Sequence, residues 1–358
     1  MKRQRGFSMV ELMVAITLGL LLTGGVVSVF VGSRSAYQAT AGVGDMSDSG
    51  RFALNLIGES VRGAGNLACN SAMSATNQPF PGATFINNYG QGIEGFEAAS
   101  TGPTAAIALP ANPVAGAANN WTPNLAPEMT GAIPAVPNQV GRPVQGSDVL
   151  VVRSSVPRVA PVYTTADVAP GASNLPVTQM PVALAGNSYA AVSDCTKSVI
   201  FQIPAAVAPG ATAMGLNPVL PDIGFSAGAI VAPLTTTIYY IGVGSDGDSS
   251  LFRLEQVNGG PAFSLPEELV PDVENMQVLY GIDSAGTQTA AAYVTADNVG
   301  TFNVVSIQVA LLVASPRSNK PPAAPAPYNM AGTQVSAPWD FRRRQVFYAT
   351  INLRDAVS

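Results

Sequence analysis

Residues 12–31 form a run of twenty without a charged side chain, dominated by Leu, Val, Ile and small residues. Twenty helical residues cover about 30 Å, the thickness of a bilayer's hydrocarbon core. Length alone therefore makes the stretch a membrane-spanning helix. Lys2, Arg3 and Arg5 stand on its N-terminal side, and the first charge beyond it is Arg34. Basic residues ahead of the run keep the N-terminus cytoplasmic and export the chain beyond about residue 34. A cleavable secretory signal has a shorter apolar run, ~7–15 residues, followed by a small-x-small site. A plain signal anchor explains length and orientation but not Glu11, a carboxylate just inside the apolar segment. Such a group is unfavourable by roughly 2.5–3.5 kcal/mol at mid-helix and by less near an end. It is a functional candidate by default and calls for a partner.

The remainder of the 358 residues is long enough for one large domain or two small ones. With 11% charged and 47% apolar residues it does not read as disordered. The 35 glycines and 29 prolines imply long, numerous loops, and a net charge of −5 argues against a nucleic-acid partner. Histidine is absent, which removes the commonest general base and metal ligand and rules out a Ser-His-Asp site. There is no phosphate loop, dinucleotide fingerprint or paired-cysteine zinc motif. The sequence thus nominates no catalytic residue, no cofactor site and no metal site, and the expectation is a protein that is not an enzyme. Cys69 and Cys195 are too few for a disulfide scaffold. In an oxidising compartment they could pair, closing a long loop worth up to ~4–5 kcal/mol; two unpaired buried thiols are the other reading.

Beyond the apolar run, residues 32–62 keep helical character. Leu54, Ile57 and Val61 fall at i, i+3, i+7, and Phe52 with Leu56 extends the stripe. Gly42, Gly44 and Gly50 weaken the middle by about 1 kcal/mol each relative to Ala. The expectation is one long helix softened or bent around 42–50, with two helices and a linker as the alternative. Residues 72–145 are poor in charge and rich in Ala, Pro, Gly and Asn, without a sustained period, and read as loop with short irregular strands. Strand patterns follow at 149–153, 199–203, 235–243, 251–254 and 276–280. The clearest pattern is Val305, Ile307, Val309, Leu311 and Val313 with Ser306 and Gln308 opposite, and Phe347, Ala349, Ile351 and Leu353 repeat it. Between these two strands, 316–338 reads as an exposed Pro/Ala-rich loop. A helix followed by a run of strands gives an α+β fold, a long N-terminal helix packed on an antiparallel sheet.

Three charged clusters have bland readings. Glu267, Glu268, Asp272 and Glu274 suggest a solvated face around a turn, Asp246-Gly247-Asp248 a hairpin turn, and Arg342-Arg343-Arg344 an exposed strand end that discourages edge pairing.

The segment Arg5-Gly6-Phe7-Ser8-Met9-Val10-Glu11-Leu12 closely resembles the class III signal of type IV prepilins and pseudopilins. The resemblance implies that a dedicated membrane peptidase cuts after Gly6, that Phe7 becomes the N-methylated terminus, and that Glu11 is the acidic assembly residue. Its carboxylate would neutralise the positive α-amino group of a neighbouring helix. Farther on, several stretches are similar to the PilW group of minor pilins: Gly50-Arg51-Phe52-Ala53-Leu54, Val61-Arg62-Gly63-Ala64-Gly65, Gly146-Ser147-Asp148-Val149-Leu150, Ser193-Asp194-Cys195, and the stretches 269–281 and 342–347. Residues 72–145 match nothing of that kind.

The resemblance implies a leader at 1–6, a pilin helix at 7–65 with its membrane part at about 7–31, and a periplasmic β-rich domain at 66–358 with an irregular insertion at about 72–145. It implies a low-abundance pilin that helps start or cap a pilus in twitching motility. The implied partners are other minor and major pilins, the prepilin peptidase, the inner-membrane assembly machinery and a tip adhesin. A minor pseudopilin of a type II secretion system, or a tip adhesin that recognises ligands through 72–145, are the alternatives.

Overall fold

The computed structural model describes residues 8–71, 77–78, 84–133, 140–156, 159–217, 220, 223–317 and 326–353. After Ser8 a single uninterrupted α-helix, Met9–Arg62, runs for 54 residues, a rod of about 80 Å at 1.5 Å per residue. It ends at Gly63, whose N–H donates to the carbonyls of Ser60 and Val61, and Gly65 continues the turn at φ 77°. The helix runs without interruption through 42–50, so no linker divides it. The glycines there answer to packing. Gly42 faces Ser315 and Pro316, and Gly50 lies under the ring of Phe347.

The second half of the helix rests on a four-stranded antiparallel sheet with strand order Ala292–Val294, Val273–Asp283, Asn303–Ala314, Arg344–Asn352. Val305, Ile307, Val309, Leu311 and Val313 all point into one core with Met46, Ala53, Ile57 and Val61 of the helix. Tyr239, Ile241 and Val243 join that core from a ten-stranded sheet. The spine of this larger sheet is the 14-residue strand Ile230–Val243, which pairs antiparallel with Val149–Ser155, Ser188–Ser193 and Ser249–Glu255. A separate core around Val162, Leu175, Phe201, Met214 and Phe225 fills the far end. The α+β expectation and the main strands are as the sequence pattern implies.

Two segments are more ordered than their composition suggests. Within 72–145, the strand Ile93–Ala98 joins the large sheet with Ile93 opposite Val152. Trp121 is buried there and its indole N–H donates to the carbonyl of Ser147 at 2.8 Å. Within 316–338, Tyr328–Met330 and Thr333–Ser336 pair with each other, and the second pairs parallel with Ala106–Ala108. Met330 and Val335 then cover Ala310 and Leu312, the second face of the four-stranded sheet. That face is buried, not solvated, and Ser306 is buried with it. Residues 318–325 of the same stretch lie outside the described residues.

The acidic and basic clusters also differ from expectation, because they face each other. Arg344 makes a two-pronged pair with Glu274, 2.6 and 3.0 Å, and a second with Asp340, both at 2.8 Å. Arg342 pairs with Asp272 and, at 3.1 Å, with Asp248, while its Nε donates to the carbonyl of Ser315. Both guanidinium groups are buried, and Arg343 alone of the three is exposed. Asp246, Asp248 and Asp272 bring carboxylate oxygens within 4.8 Å of one another. Arg342 supplies the positive charge to two of the three. Charges that could not be buried singly are buried here in matched, hydrogen-bonded pairs.

Candidate functional site

The described chain begins one residue after the implied cleavage site, so Gly6 and Phe7 lie outside the described residues. Ser8 is the N-cap of the long helix. Its hydroxyl accepts from the N–H of Val10 at 3.3 Å, and its own N–H donates to a carboxylate oxygen of Glu11 at 3.5 Å. Ser8-Met9-Val10-Glu11 is therefore a capping box, Ser-x-x-Glu, in which the acidic side chain turns back to satisfy an orphan donor at the helix start. The negative charge also lies at the positive end of the helix dipole. Both effects place Glu11 at the surface of the helix tip, where it is exposed.

From this tip to Tyr37 the described helical side chains are exposed, Leu, Val, Ile and Phe included. The apolar stretch is long enough to cross a membrane, and none of it is buried against other described residues. Thr17 and Thr23 donate their hydroxyls to the carbonyls of Val14 and Gly19. Their donors are satisfied within the helix, as an apolar surrounding requires. This surface is made to be covered from outside, by lipid or by other apolar helices.

The buried face of the second half is Met46, Gly50, Ala53, Ile57 and Val61, with Ala64 just beyond it; of the expected stripe Ile57 and Val61 are buried and Leu54 and Leu56 pack against the core, while Phe52 departs, 54% exposed. The spacing of four, three, four, four and three is helical, but three of its members, Gly50, Ala53 and Ala64, carry little or no side chain. Ser60 and Tyr239 share a 2.6 Å hydrogen bond, which fixes the helix to the large sheet. Burial pushes the Tyr239 phenol above its ordinary value, so it stays neutral. Just past the helix, Cys69 and Cys195 are joined by a disulfide across a sequence separation of 126. Ser193 supports the cystine. Its hydroxyl accepts from the N–H of Cys195 at 3.2 Å and lies 3.4 Å from the Cys69 sulfur.

Two acids are buried in the domain. Asp148 bridges two sheets, one oxygen accepting from Ala98 N at 2.9 Å and the other from Val278 N at 2.8 Å. Burial, with the charge of Glu97 adding to it, holds its carboxyl well above the usual range. Burial likewise pushes Glu97 up to about 7. Both sit in structural hydrogen bonds, Glu97 with Thr101 and the N–H of Ala296.

Residues 238–355 match the family model described as Type IV Pilus-assembly protein W, and residues 1–27 match the Prokaryotic N-terminal methylation motif. The first match takes in the four-stranded sheet and the end of the long central strand; the second takes in the leader, Glu11 and most of the apolar helix. Residues 28–237 lie outside both. No curated protein and no solved structure matches the chain. The resemblance to type IV pilus assembly proteins of the PilW kind, with a prepilin leader, thus rests on two separate parts of the chain.

Proposed function

We propose that this chain is a minor type IV pilin, a structural component that helps initiate or cap the pilus and so supports twitching motility. The observation that carries the reading is the division of the long helix. One end is packed on the sheet that matches the assembly family, while the other bears an apolar surface that no described residue covers and an acid at its tip. In this reading the leader 1–6 is removed after Gly6 by the prepilin peptidase, and Phe7 is methylated. Residues from 7 to about 31 hold the chain in the inner membrane with residues 66–358 in the periplasm. On extraction by the assembly machinery, the apolar surface exchanges lipid for the helices of other minor and major pilins. Glu11 sets the register by neutralising a neighbour's α-amino group. The domain then presents partner-specific surfaces, a tip adhesin among their candidate occupants. The test is mass spectrometry of sheared pili with the mature N-terminus read directly. The chain should appear in the fibre fraction beginning with N-methylated Phe7. A chain that stays in the membrane fraction and begins at Met1 overturns the proposal.

A further inference from the structure

The strand Arg344–Asn352 ends the four-stranded sheet, and among the described residues no strand pairs with its outer edge. It pairs with Asn303–Ala314 in one unbroken register, from Ser306 opposite Asn352 to Ala314 opposite Arg344. The ladder closes just beyond both ends, Leu353 N donating to Val305 O at 3.0 Å and Ser315 N to Arg343 O at 2.8 Å. In an antiparallel pair, bonded residues alternate with residues whose N–H and C=O turn away. The odd-numbered residues therefore face the partner strand. Val346, Tyr348, Thr350 and Asn352 turn their backbone groups outward, and among the described residues no backbone group meets them. Natural edges are blunted by Lys, Pro, a bulge or a short strand. The opposite edge of this sheet is short, the three residues Ala292–Val294. The Arg344–Asn352 edge has no Lys, Pro, Gly or bulge, and the arginine expected to guard it is turned inward, the Arg344 side chain being 2% exposed.

The long helix runs beside this edge. Gly50 meets Phe347 and Gly58 meets Ile351, so about 12 Å of helix keeps pace with about 13 Å of strand. The guanidinium of Arg62 lies against Gly58, 3.5 Å from where its Cβ would stand. At about 3.6 residues per turn, Arg51 falls between Gly58 and Arg62 around the helix, while Asp45, Asp48 and Glu59 fall farther round. Arg51, Arg62 and, at the start of the strand, Arg343 are exposed, and among the described residues no ion pair joins them to a carboxylate. The open edge thus has a basic flank on its helix side. On its other side stands the ring of Tyr348, 55% exposed and fixed by its hydroxyl, which donates to the Asn329 carbonyl.

We infer that this edge takes up an extended segment of another protein as a further strand, one with carboxylates on its helix-facing side about four to six positions apart, the span from Arg51 to Arg62. A second copy of this chain does not fit: its own edge strand has no carboxylate, and two-fold pairing brings the same arginines together. The inference goes beyond the assembly reading and does not need it, since docking is measured on the isolated chain. The full-length protein in dodecylphosphocholine micelles is titrated with a fluorescein-labelled peptide, Thr-Val-Glu-Val-Thr-Val-Glu-Val-Thr, and with its Lys-for-Glu counterpart. Anisotropy reads the binding. The acidic peptide should bind at least tenfold more tightly than the basic one and slow hydrogen exchange at the amides of Val346, Tyr348, Thr350 and Asn352. Thr350→Pro removes an outward N–H and no ladder bond, so it should hold the unfolding temperature and weaken binding at least tenfold. Arg51→Glu with Arg62→Glu should reverse the preference between the peptides. No saturable binding of the acidic peptide, equal binding of the two peptides, or binding untouched by Thr350→Pro overturns the inference. Self-association of the chain that Thr350→Pro abolishes overturns it equally, by assigning the edge to a second copy.

Discussion

Gly50 and Phe347 meet face to face where the long helix crosses the edge strand of the four-stranded sheet. A Cβ at position 50 would stand 2.4 to 2.6 Å from three atoms of the ring. The contact is closer than any side chain allows, so the helix approaches the sheet here through its bare backbone. Leu311 sits opposite Phe347 in the strand register and continues the same contact into the core.

Replacing Gly50 by Ala has two opposed effects. Helix propensity improves by about 1 kcal/mol, while forcing a methyl against a packed ring costs about 1–3 kcal/mol. The net expectation is a loss of up to ~2 kcal/mol, read by urea unfolding. In a Phe347→Ala background the clash is gone, so the same Gly50→Ala change should stabilise by about 0.5–1 kcal/mol. Equal effects in the two backgrounds would show that the ring does not need the glycine.

The paired charges give a second expectation. Arg344 is buried between Glu274 and Asp340, so Arg344→Ala leaves two carboxylates without their cation. Breaking a buried pair from one side costs roughly 3–5 kcal/mol. Arg344→Lys should recover only part of this, since a point charge cannot reproduce two bidentate contacts. Thermal unfolding of the two variants decides it, and full recovery by Lys would remove the argument from geometry.

Stability should also depend on pH through Glu97. Its folded pKa is raised to about 7 by burial, from an ordinary value of 4.5. The native state therefore holds more protons than the unfolded chain between those values, and stability falls as pH rises across that window. Asp148, raised for the same reason, acts in the same direction. Asp340 and Asp194 are lowered chiefly through hydrogen bonds and nearby cations that outweigh their burial, so what they contribute is lost only as pH falls below the ordinary 3.8. A stability maximum on the acid side of neutrality follows. Glu97→Gln keeps its amide oxygen as acceptor for the Ala296 N–H and can donate its NH2 to the Thr101 hydroxyl, which donates in turn to the Ala98 carbonyl; it should be the more stable protein at pH 8, by on the order of 1–2 kcal/mol. Urea titrations at pH 5 and pH 8 measure it, and parallel slopes for the two proteins would exclude Glu97 as the source.

The pattern of the core strands was legible because residues 305–313 alternate so strictly that one face had to be buried. The Ile93–Ala98 strand was not, because Gly95 and Glu97 interrupt its apolar run. Gly95 is there to admit the Tyr280 hydroxyl, and Glu97 is buried in tertiary hydrogen bonds that no local pattern encodes. Phe52 attracted the helix stripe by its size, yet the close contact needed Gly50 and Ala53, which weigh little in any hydrophobic pattern. The arginine pairs were hidden by distance, Arg344 and Glu274 lying 70 positions apart in the chain. At the N-terminus the signal was present and readable in full. Ser8-x-x-Glu11 is a capping signature as well as part of the leader resemblance.

That double duty makes Glu11 testable by its charge and its hydrogen bonding separately. The structure uses the carboxylate as an acceptor for Ser8 N, a task an amide oxygen performs as well. Neutralising a neighbour's α-amino group needs the negative charge, which becomes more valuable as apolar helices close around it and lower the local dielectric. Glu11→Ala removes both functions and Glu11→Gln only the second. If the assembly role proposed above holds, both variants should be processed to nearly normal length in cells. Both should be depleted at least tenfold from sheared pili, the Gln variant as severely as the Ala variant. Depletion of Ala with normal incorporation of Gln would make Glu11 a helix cap and nothing more. Immunoblots of whole-cell and sheared fractions, calibrated against the major pilin, separate these outcomes, because processing and incorporation are read on the same samples.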